Sequence, residues 1–185
     1  RAEDDEIRQG NVLFAQQIAD ALRRSDAPPP VVVYSNSIQA GNGTVYGDAK
    51  AKAADILAAA ASDLGLEFVD LRLPNLFGEH GRPFYNAVTA TFCHIFAEGG
   101  QPKVENDKEL TLLHAQNAAD LLIGNASLED LSQLEVRETV SGLLERLVTF
   151  ARIYRTGEIP DIATTFDRDL FNTYRSRLAD GLGMR

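Results

Sequence analysis

The stretch VVVYSNS at 31–37, followed by a Gly/Asn-rich loop and then YGDAK at 46–50, decides the fold of this chain. Its β-branched residues predict a strand over 31–36, and the alanine-rich run after the loop predicts a helix over about 44–63 that ends at Gly65. A second apolar run at 66–73 predicts a strand that is buried on both faces. Strand, helix and strand in this order predict a parallel βαβ unit, and therefore an α/β fold.

Tyr46 and Lys50 lie four residues apart on the predicted helix, so their side chains project from the same face. Ser35 and Ser37 stand at the end of the preceding strand, and in an open α/β sheet ligands bind beyond the carboxyl ends of the strands. A phenol, an ammonium and a hydroxyl that converge there are suited to moving a proton during hydride transfer. The motif is short, and its alternative interpretation is a half-buried helix tyrosine beside a solvated lysine.

Alternating helices and short strands are predicted for the rest of the chain. A charged segment at 2–9 precedes a helix over 11–24, and its acidic residues suit a helix start. Asn11 is an N-cap candidate for that helix, and Ser141 is one for a later helix. After the second strand we predict a loop at 74–83, a helix at 84–98, strands near 110–114 and 135–139, and helices at 115–124 and 167–178.

The composition argues against several classes of protein. A net charge of −9 and an isoelectric point near 4.8 disfavour a nucleic-acid-binding or anionic-membrane surface. No apolar run reaches the length of a membrane span. Cys93, the sole cysteine, lies in an apolar run and is expected to be a buried packing residue of a cytoplasmic protein. The three histidines show no metal-ligand spacing, so we expect no metal.

Four segments carry a resemblance to a known family: SNSIQA (35–40), RLPNLFGEHGRPFYNAVTATFCHIFAEG (72–99), ELTLLHAQNAAD (109–120) and DLFNTYRSRL (169–178). With the Tyr46/Lys50 pair, they resemble extended short-chain dehydrogenase/reductases of the NAD-dependent epimerase/dehydratase type. They are most similar to the nucleotide-sugar reductases of bacterial capsule and O-antigen synthesis. The resemblance implies the C-terminal half of a Rossmann-like doubly wound parallel sheet, plus a smaller, mostly helical substrate-binding region. It also implies NADP (or NAD) as cofactor and reduction of the 4-keto group of a UDP-2-acetamido-2,6-dideoxyhexulose.

The resemblance assigns catalytic roles to four residues. Tyr46 is the general acid that protonates the alkoxide formed when a ketone accepts hydride, and Ser37 donates a hydrogen bond to the same oxygen. Lys50 holds the nicotinamide ribose, and Asn11 anchors a water that relays protons to Lys50. A free phenol titrates near pH ~10. An ammonium ~4 Å away, at an effective dielectric constant of ~20, favours a phenolate by about 4 kcal/mol, so Lys50 is sufficient in principle to activate Tyr46.

The same resemblance assigns binding roles to further residues. For the cofactor these are Ser35, Tyr46, Lys50, Pro74, Asn75 and Leu76, and for the nucleotide sugar they are Asn75, Arg82 and His114. The alternative interpretations are a Pro-Asn turn at Asn75, a solvent-exposed loop arginine at Arg82, and a Ser37 hydroxyl that caps its own backbone. Gln116 and Asn117 replace an acidic pair of the family, which leaves the identity of the sugar open.

Family members bind their dinucleotide on an N-terminal βαβ unit with a glycine-rich turn. Neither Gly41/Gly43 nor Gly99/Gly100 is expected to open a helix after the first strand of such a unit. We therefore interpret the chain as the middle of a longer protein, without the N-terminal unit and without a C-terminal cupin domain. We expect the chain alone to be inactive.

The expected organisation is a partial Rossmann-like catalytic core at 1–108, including a substrate loop at about 74–100, and a smaller substrate-binding helical region at 109–185. Helices 11–24 and 44–63 correspond to those through which relatives form homodimers. An epimerase or dehydratase of the same superfamily is the alternative function, although dehydratases carry an Asp-Glu pair where this chain has Ile38 and Gln39. A non-catalytic module that folds or dimerises without cofactor is the third possibility.

Overall fold

The computed structural model describes residues 4–181, with side chains up to residue 178. The chain divides into two compact units, with the boundary between Leu73 and Pro74. The first unit contains helix α1 (Asp4–Arg24), strand β1 (Val31–Ser37), helix α2 (Val45–Leu64) and strand β2 (Glu67–Leu73). The second contains β3 (Asn75–Phe77), α3 (Val88–Ala97), β4 (Glu109–His114), α4 (Ala115–Ile123), a 3-10 turn (Leu128–Asp130), α5 (Leu131–Leu134), β5 (Val136–Thr139), α6 (Val140–Tyr154) and α7 (Thr165–Gly181).

In the first unit, β1 and β2 pair in parallel, with Val31 opposite Glu67 and Ser37 opposite Leu73. Because α2 connects the two strands, the predicted βαβ unit is confirmed. Tyr34 and Phe68 pack against a buried cluster that α1 and α2 supply, formed by Ala15, Ala53 and Leu57. The small alanine side chains let the two helices approach each other and the sheet closely.

The expected burial of β2 on both faces is wrong within the first unit. Leu71 and Leu73 are buried, but Glu67 and Arg72 are exposed. The apolar run at 66–73 therefore marks a strand correctly but overstates its burial, because the charged positions in it lie at the surface.

The start of α1 also differs from the prediction. The helix begins at Asp4, about two turns before Asn11. The acidic residues of its first turn, Asp4, Asp5 and Glu6, interact favourably with the positive end of the helix dipole. Gly10 does not interrupt the helix, and a methyl group added there would meet open space. Residues 4–9 of the charged segment are thus the first part of the helix rather than a lead-in, and residues 2 and 3 lie outside the described residues.

The second unit is built on a three-stranded sheet in the order β3-β4-β5. β3 and β4 are parallel, whereas β4 and β5 are antiparallel. α3, α6 and α7 contribute most of its core, whose most buried large side chains are Leu112, Leu143, Leu147, Leu170 and Tyr174. Cys93 belongs to this core, and burial raises the pKa of its thiol to about 12. The packing role predicted for Cys93 is confirmed.

Two boundaries predicted for the first part of the second unit are wrong. β3 lies inside the predicted loop 74–83, because a strand of three residues leaves no recognisable sequence pattern and depends on its pairing with β4. α3 begins at Val88 rather than at 84. Phe84 and Asn86 have φ values of +57° and +53°, which a right-handed helix does not permit.

The N-cap of α6 is Thr139 and not Ser141. The Thr139 hydroxyl accepts a hydrogen bond from the Gly142 N–H at 2.9 Å. Ser141 instead donates to Asp107 through its N–H and through its hydroxyl, at 2.9 and 2.7 Å. These two bonds hold the pKa of the Asp107 carboxyl below its usual value.

The boundary between the compact units lies at 73/74, whereas the roles predicted from the sequence were divided at 108/109. Pairing between β3 and β4 joins residues from both sides of position 108 in one sheet. α3 also packs against α6 and α7. Residues 74–108 therefore belong structurally with the C-terminal part, and the catalytic and substrate-binding roles of the two parts stay a prediction.

Candidate active site

The candidate site is at the carboxyl end of β1, where Lys50 from α2 reaches the strand. The Lys50 ammonium donates hydrogen bonds to the Ser35 carbonyl oxygen at 2.9 Å and to the Tyr34 hydroxyl at 3.1 Å. It also lies 4.6 Å from the centre of the Tyr34 ring, within the range of a cation–π interaction. Lys50 is therefore anchored on the sheet, and the interpretation of a merely solvated lysine does not fit.

Burial governs the electrostatics of this pair. Partial desolvation lowers the pKa of Lys50, while the Asp70 carboxylate on β2 acts in the opposite direction. The pKa of Tyr34 is raised, mainly by burial and also by Tyr46 and Asp70. Burial thus disfavours the ammonium form of Lys50, and Tyr34 stays a neutral phenol that accepts its hydrogen bond.

Tyr46 is the second residue of α2, one helical turn before Lys50. Its side chain is 38 % exposed, and no described residue forms a hydrogen bond with its hydroxyl. The phenol therefore faces solvent with its donor unused, as a proton donor to a substrate must. Among the described residues the Lys50 ammonium binds Tyr34 directly, and it does not bind Tyr46.

Ser37 ends β1 with its hydroxyl partly engaged. Its oxygen accepts a hydrogen bond from the Gln39 N–H at 3.2 Å, so the alternative interpretation of a strand-end hydroxyl that caps its own backbone is realised. An accepted hydrogen bond leaves the hydroxyl proton available for donation. The capping contact and the proposed donation to a carbonyl oxygen are therefore compatible.

Asn36 supports this end of the strand, and the sequence analysis did not identify it. It is 3 % exposed, and its amide nitrogen donates to Asp70 at 2.7 Å while its amide oxygen accepts from the Ser37 N–H at 2.9 Å. Asp70 also accepts from Arg72 at 3.1 Å. A buried polar side chain in a strand needs such partners. A polar residue between two serines, with an acidic residue in the next strand of the βαβ unit, was therefore a sequence signal that could have identified Asn36.

The loop before α2 is closed by its own hydrogen bonds. Thr44 is the N-cap of α2, and its hydroxyl accepts from the Gly47 N–H at 3.0 Å and donates to the Asn42 side chain at 2.7 Å. Gly41 and Gly43 have φ values of +78° and +79°, a region that favours glycine. The Gly41 N–H donates to the Gly47 carbonyl at 2.9 Å.

The structure corrects one expectation about these glycines. Gly41 and Gly43 do lie between the first strand and the helix of a parallel βαβ unit, β1-α2-β2. The N–H groups of Gly41, Thr44 and Gly47 are nevertheless used inside the loop. A glycine-rich turn binds a pyrophosphate through free N–H groups, so this loop is organised to hold Tyr46 rather than a dinucleotide.

We predict a moderate loss of stability when the cap is removed. Thr44→Ala should lower the free energy of unfolding by about 1 kcal/mol, because the Gly47 N–H loses its acceptor. Thr44→Ser keeps the hydroxyl and serves as the matched control. Urea denaturation of both variants measures the difference, and equal midpoints for the two would contradict the capping role.

Asn11 lies inside α1, so its interpretation as an N-cap is wrong. Its side-chain amide donates to the Ile7 carbonyl at 2.9 Å, one turn earlier in the same helix. The amide oxygen of Asn11 accepts no hydrogen bond from a described residue. Its predicted role in binding a relay water is untested by this geometry.

The other predicted residues lie in the second unit. The Asn75 amide donates to the Thr111 carbonyl at 3.1 Å, which fastens β3 to β4. Pro74 is buried and Leu76 is 43 % exposed. Arg82 is exposed, and its guanidinium lies 4.9 Å from the centre of the Tyr85 ring. These positions leave the predicted cofactor and sugar contacts as proposals.

His114 has structural partners on both ring nitrogens. Nδ1 accepts from the Gln116 N–H and caps α4, and Nε2 lies 3.1 Å from the Glu79 carboxylate. The ring also packs edge-on against Phe77, with centroids 5.3 Å apart. With Nδ1 as acceptor, the proton of a neutral ring is on Nε2 and points to Glu79. A substrate would therefore meet a histidine that is already oriented.

The described part of the chain contains neither a cluster of metal-binding side chains nor a membrane-spanning helix. No group of three or more His, Cys, Asp or Glu side chains in it is placed to hold a metal ion. No helix in it is both long and apolar enough to cross a membrane.

Residues 3–124 match the NAD dependent epimerase/dehydratase family. The chain belongs to this family, as the resemblance found in the sequence predicted. The serine-bearing strand β1 and the Tyr-x-x-x-Lys helix α2 both lie within the matched residues.

The chain is similar to UDP-2-acetamido-2,6-beta-L-arabino-hexul-4-ose reductase of Pseudomonas aeruginosa, with 28 % identity over 183 residues, 95 % of this chain and 49 % of the relative. It resembles the crystal structure of the capsular polysaccharide assembling protein CapF from Staphylococcus aureus with a TM-score of 0.80 and 27 % identity, over 91 % of this chain and 47 % of that one. RMD from Pseudomonas aeruginosa, solved with NADPH, has a TM-score of 0.70 at 16 % identity, over 96 % of this chain and 75 % of that one, and shows the fold alone. The predicted Rossmann-like α/β fold is confirmed. The chain spans about half the length of the first two proteins.

Proposed function

We propose that this chain carries the catalytic residues of an NADPH-dependent reductase that acts on the 4-keto group of a nucleotide-linked deoxyhexulose. The observation that carries the proposal is the anchored Lys50, which lies one turn from a Tyr46 phenol that binds no described residue and which contacts β1 at Ser35, two residues before Ser37. Similarity to a hexul-4-ose reductase over 95 % of the chain supports the substrate class. Because the chain spans about half of that relative, the activity is proposed for the protein that the whole gene encodes.

The residues at the carboxyl end of β1 fit a nicotinamide cofactor. An ammonium has three N–H donors, and Lys50 uses two of them on Ser35 and Tyr34. The third is left for a ribose hydroxyl, and Ser35 is exposed at this end of the strand. NADPH, when bound, supplies the hydride that reduces the carbonyl carbon. NADH is the alternative donor, since no contact in this region distinguishes the two.

The chain's own residues would manage the proton and the developing charge. As the carbonyl carbon is reduced, its oxygen gains negative charge, which the Ser37 hydroxyl stabilises by donating a hydrogen bond. Tyr46 then breaks its O–H bond and gives the proton to that oxygen, which completes the alcohol. The positive charge of Lys50 one turn away favours the resulting phenolate until solvent returns the proton.

The reductase and the epimerase alternatives differ in their use of cofactor. We expect the full gene product to oxidise one NADPH for each keto sugar reduced, which the loss of nicotinamide absorbance measures. A cofactor that stays bound and unconsumed while the sugar is isomerised would favour the epimerase. The residues after Ser37, Ile38 and Gln39, disfavour a dehydratase because they carry no acid.

A homodimer through α1 and α2 is part of the proposal. Leu13 and Phe14 on α1 are 50 % and 61 % exposed. Exposed apolar side chains mark an interaction site when they form one continuous patch. A groove of about 470 Å³ between the two helices adds apolar surface and is lined by Arg8, Gln9, Val12, Leu13, Gln16, Val45, Asp48, Ala49 and Lys52. A second copy that places its own α1 and α2 there would cover this surface.

Sedimentation velocity tests the dimer. The chain should sediment at twice its mass of 20.2 kDa, and Phe14→Asp should convert it to the monomer because a carboxylate would be buried at the interface. Ile123→Asp, at a residue that is 69 % exposed on α4, is the matched control and should leave the mass unchanged. A monomeric parent chain, or equal dissociation by both substitutions, would contradict the interface.

The cytoplasm is the proposed location. Cys93 is a free thiol in the core of the second unit, as proteins of reducing compartments commonly have. Capsule or O-antigen synthesis is the proposed setting, on the strength of the similarity to the capsular protein of Staphylococcus aureus.

A further inference from the structure

Tyr34 is the closest side-chain partner of Lys50, although the family resemblance assigned it no role. It lies on β1, three residues before Ser37, and contacts the ammonium in two ways. Its hydroxyl accepts a hydrogen bond at 3.1 Å, and its ring lies under the ammonium at 4.6 Å. A tyrosine that only filled the core would not need its hydroxyl at this place.

We propose that Tyr34 is a positioning residue that holds the Lys50 ammonium at the carboxyl end of β1. The Tyr34 hydroxyl, the Tyr34 ring and the Ser35 carbonyl together fix the end of a long, flexible side chain. A lysine side chain that is not held in this way samples many rotamers and loses that freedom when it binds. With two donors held by the protein, the third points consistently to one place.

Few titratable groups act on Tyr34 and Lys50. Tyr46 on α2 and Asp70 on β2 are the other titratable groups that act on Tyr34, and Asp70 also acts on Lys50. α1 contributes the apolar side chains Ala15 and Ile18 to the cluster that contains Tyr34. Burial disfavours the charged form of Lys50, and the Tyr34 hydroxyl stabilises that form by accepting a hydrogen bond from it.

Substitution of Tyr34 should lower the pKa of Lys50. Tyr34→Phe keeps the ring and its apolar packing but removes the hydrogen-bond acceptor, so the charged form of Lys50 loses stabilisation and the pKa of Lys50 should fall further. At a pH below that pKa, the fraction of neutral amine should rise roughly three- to tenfold, the effect of losing one hydrogen bond to a charged group at a half-exposed site. Tyr34→Leu also removes the ring and should lower the pKa at least as far.

The experiment measures the pKa of Lys50 on this chain alone, without cofactor or substrate. The carbon and nitrogen signals at the end of each lysine are followed by NMR against pH, and Lys50→Arg assigns the Lys50 signal. Lys103, exposed in a loop of the second unit, is the internal reference and should titrate identically in every variant. Circular dichroism confirms that each variant is folded.

Two outcomes would overturn the proposal. One is an unchanged pKa of Lys50 in Tyr34→Phe. The other is a Lys50 that titrates like Lys103 in Tyr34→Leu, which would show that the ring merely excludes water. The catalytic meaning of this inference rests on the proposed function, but the measurement does not. A shifted Lys50 in a full gene product without reductase activity would refute the proposed function and leave the positioning role intact.

Discussion

Replacing Tyr46 by Phe should reduce NADPH oxidation by the full gene product about 10²- to 10⁴-fold, the usual contribution of a general acid. The substitution removes only the hydroxyl oxygen. That hydroxyl forms no hydrogen bond with a described residue and the side chain is 38 % exposed, so the substitution should change the free energy of unfolding little. The loss should appear in kcat, because proton donation matters in the transition state and little in binding.

The matched controls for this prediction are a second tyrosine and a binding measurement. Tyr154→Phe removes the hydroxyl of a half-buried ring that packs edge-on against Phe171 and Tyr174, and it should keep most of the activity. The affinity of Tyr46→Phe for NADPH should stay within about twofold of the parent, since Lys50 keeps its anchors. Equal turnover by Tyr46→Phe and the parent would end the assignment of Tyr46 as the acid.

Replacing Gly47 by Ala should lower the free energy of unfolding by about 2–4 kcal/mol, through overpacking and loss of the helix cap. Gly47 lies between Tyr46 and Asp48, in the first turn of α2. A methyl group there would collide with the Gln39 carbonyl oxygen and with the Asn42 side-chain oxygen. The Gln39 oxygen belongs to the backbone and cannot turn away, so the loop must shift.

Gly10→Ala, in the same compact unit, should stabilise the protein rather than destabilise it. Gly10 is exposed within α1, and an added methyl group would meet nothing within 4 Å. The substitution should raise the free energy of unfolding by about 0.5–1 kcal/mol, because alanine is the better helix former. Urea denaturation of both variants measures the two changes. A Gly47→Ala protein as stable as Gly10→Ala would show that the loop does not pack on α2 as described.

The local parts of the fold were predictable from the sequence. β1, α2 and β2 follow from a β-branched run, an alanine-rich run and Gly65, which ends α2 with a φ of +68°. The shared face of Tyr46 and Lys50 follows from helical spacing. Family membership followed from longer segments such as PNLFG at 74–78, because they combine turn, strand and loop residues that rarely occur together by chance.

What the sequence left open depended on contacts between distant residues. The partner of Lys50 is 16 positions earlier in the chain, and only the packing of α2 on β1 brings Tyr34 under it. The packing of the loop on Gly47 and the pairing of Asn36 with Asp70 likewise need the register of the strands. His114 was predicted to bind substrate, but its use as a helix cap depends on where β4 ends.

The most direct test of the central claim follows a label through the reaction. The full gene product is given a UDP-linked 4-keto-6-deoxyhexulose and NADPH that carries deuterium on the transferable position of its nicotinamide. Mass spectrometry and NMR of the purified sugar then locate the label. The parent protein should give a sugar with one deuterium at C4. Tyr46→Phe should form almost none of this labelled sugar in the same time. A sugar converted without deuterium at C4, or labelled equally by both proteins, would contradict the central claim.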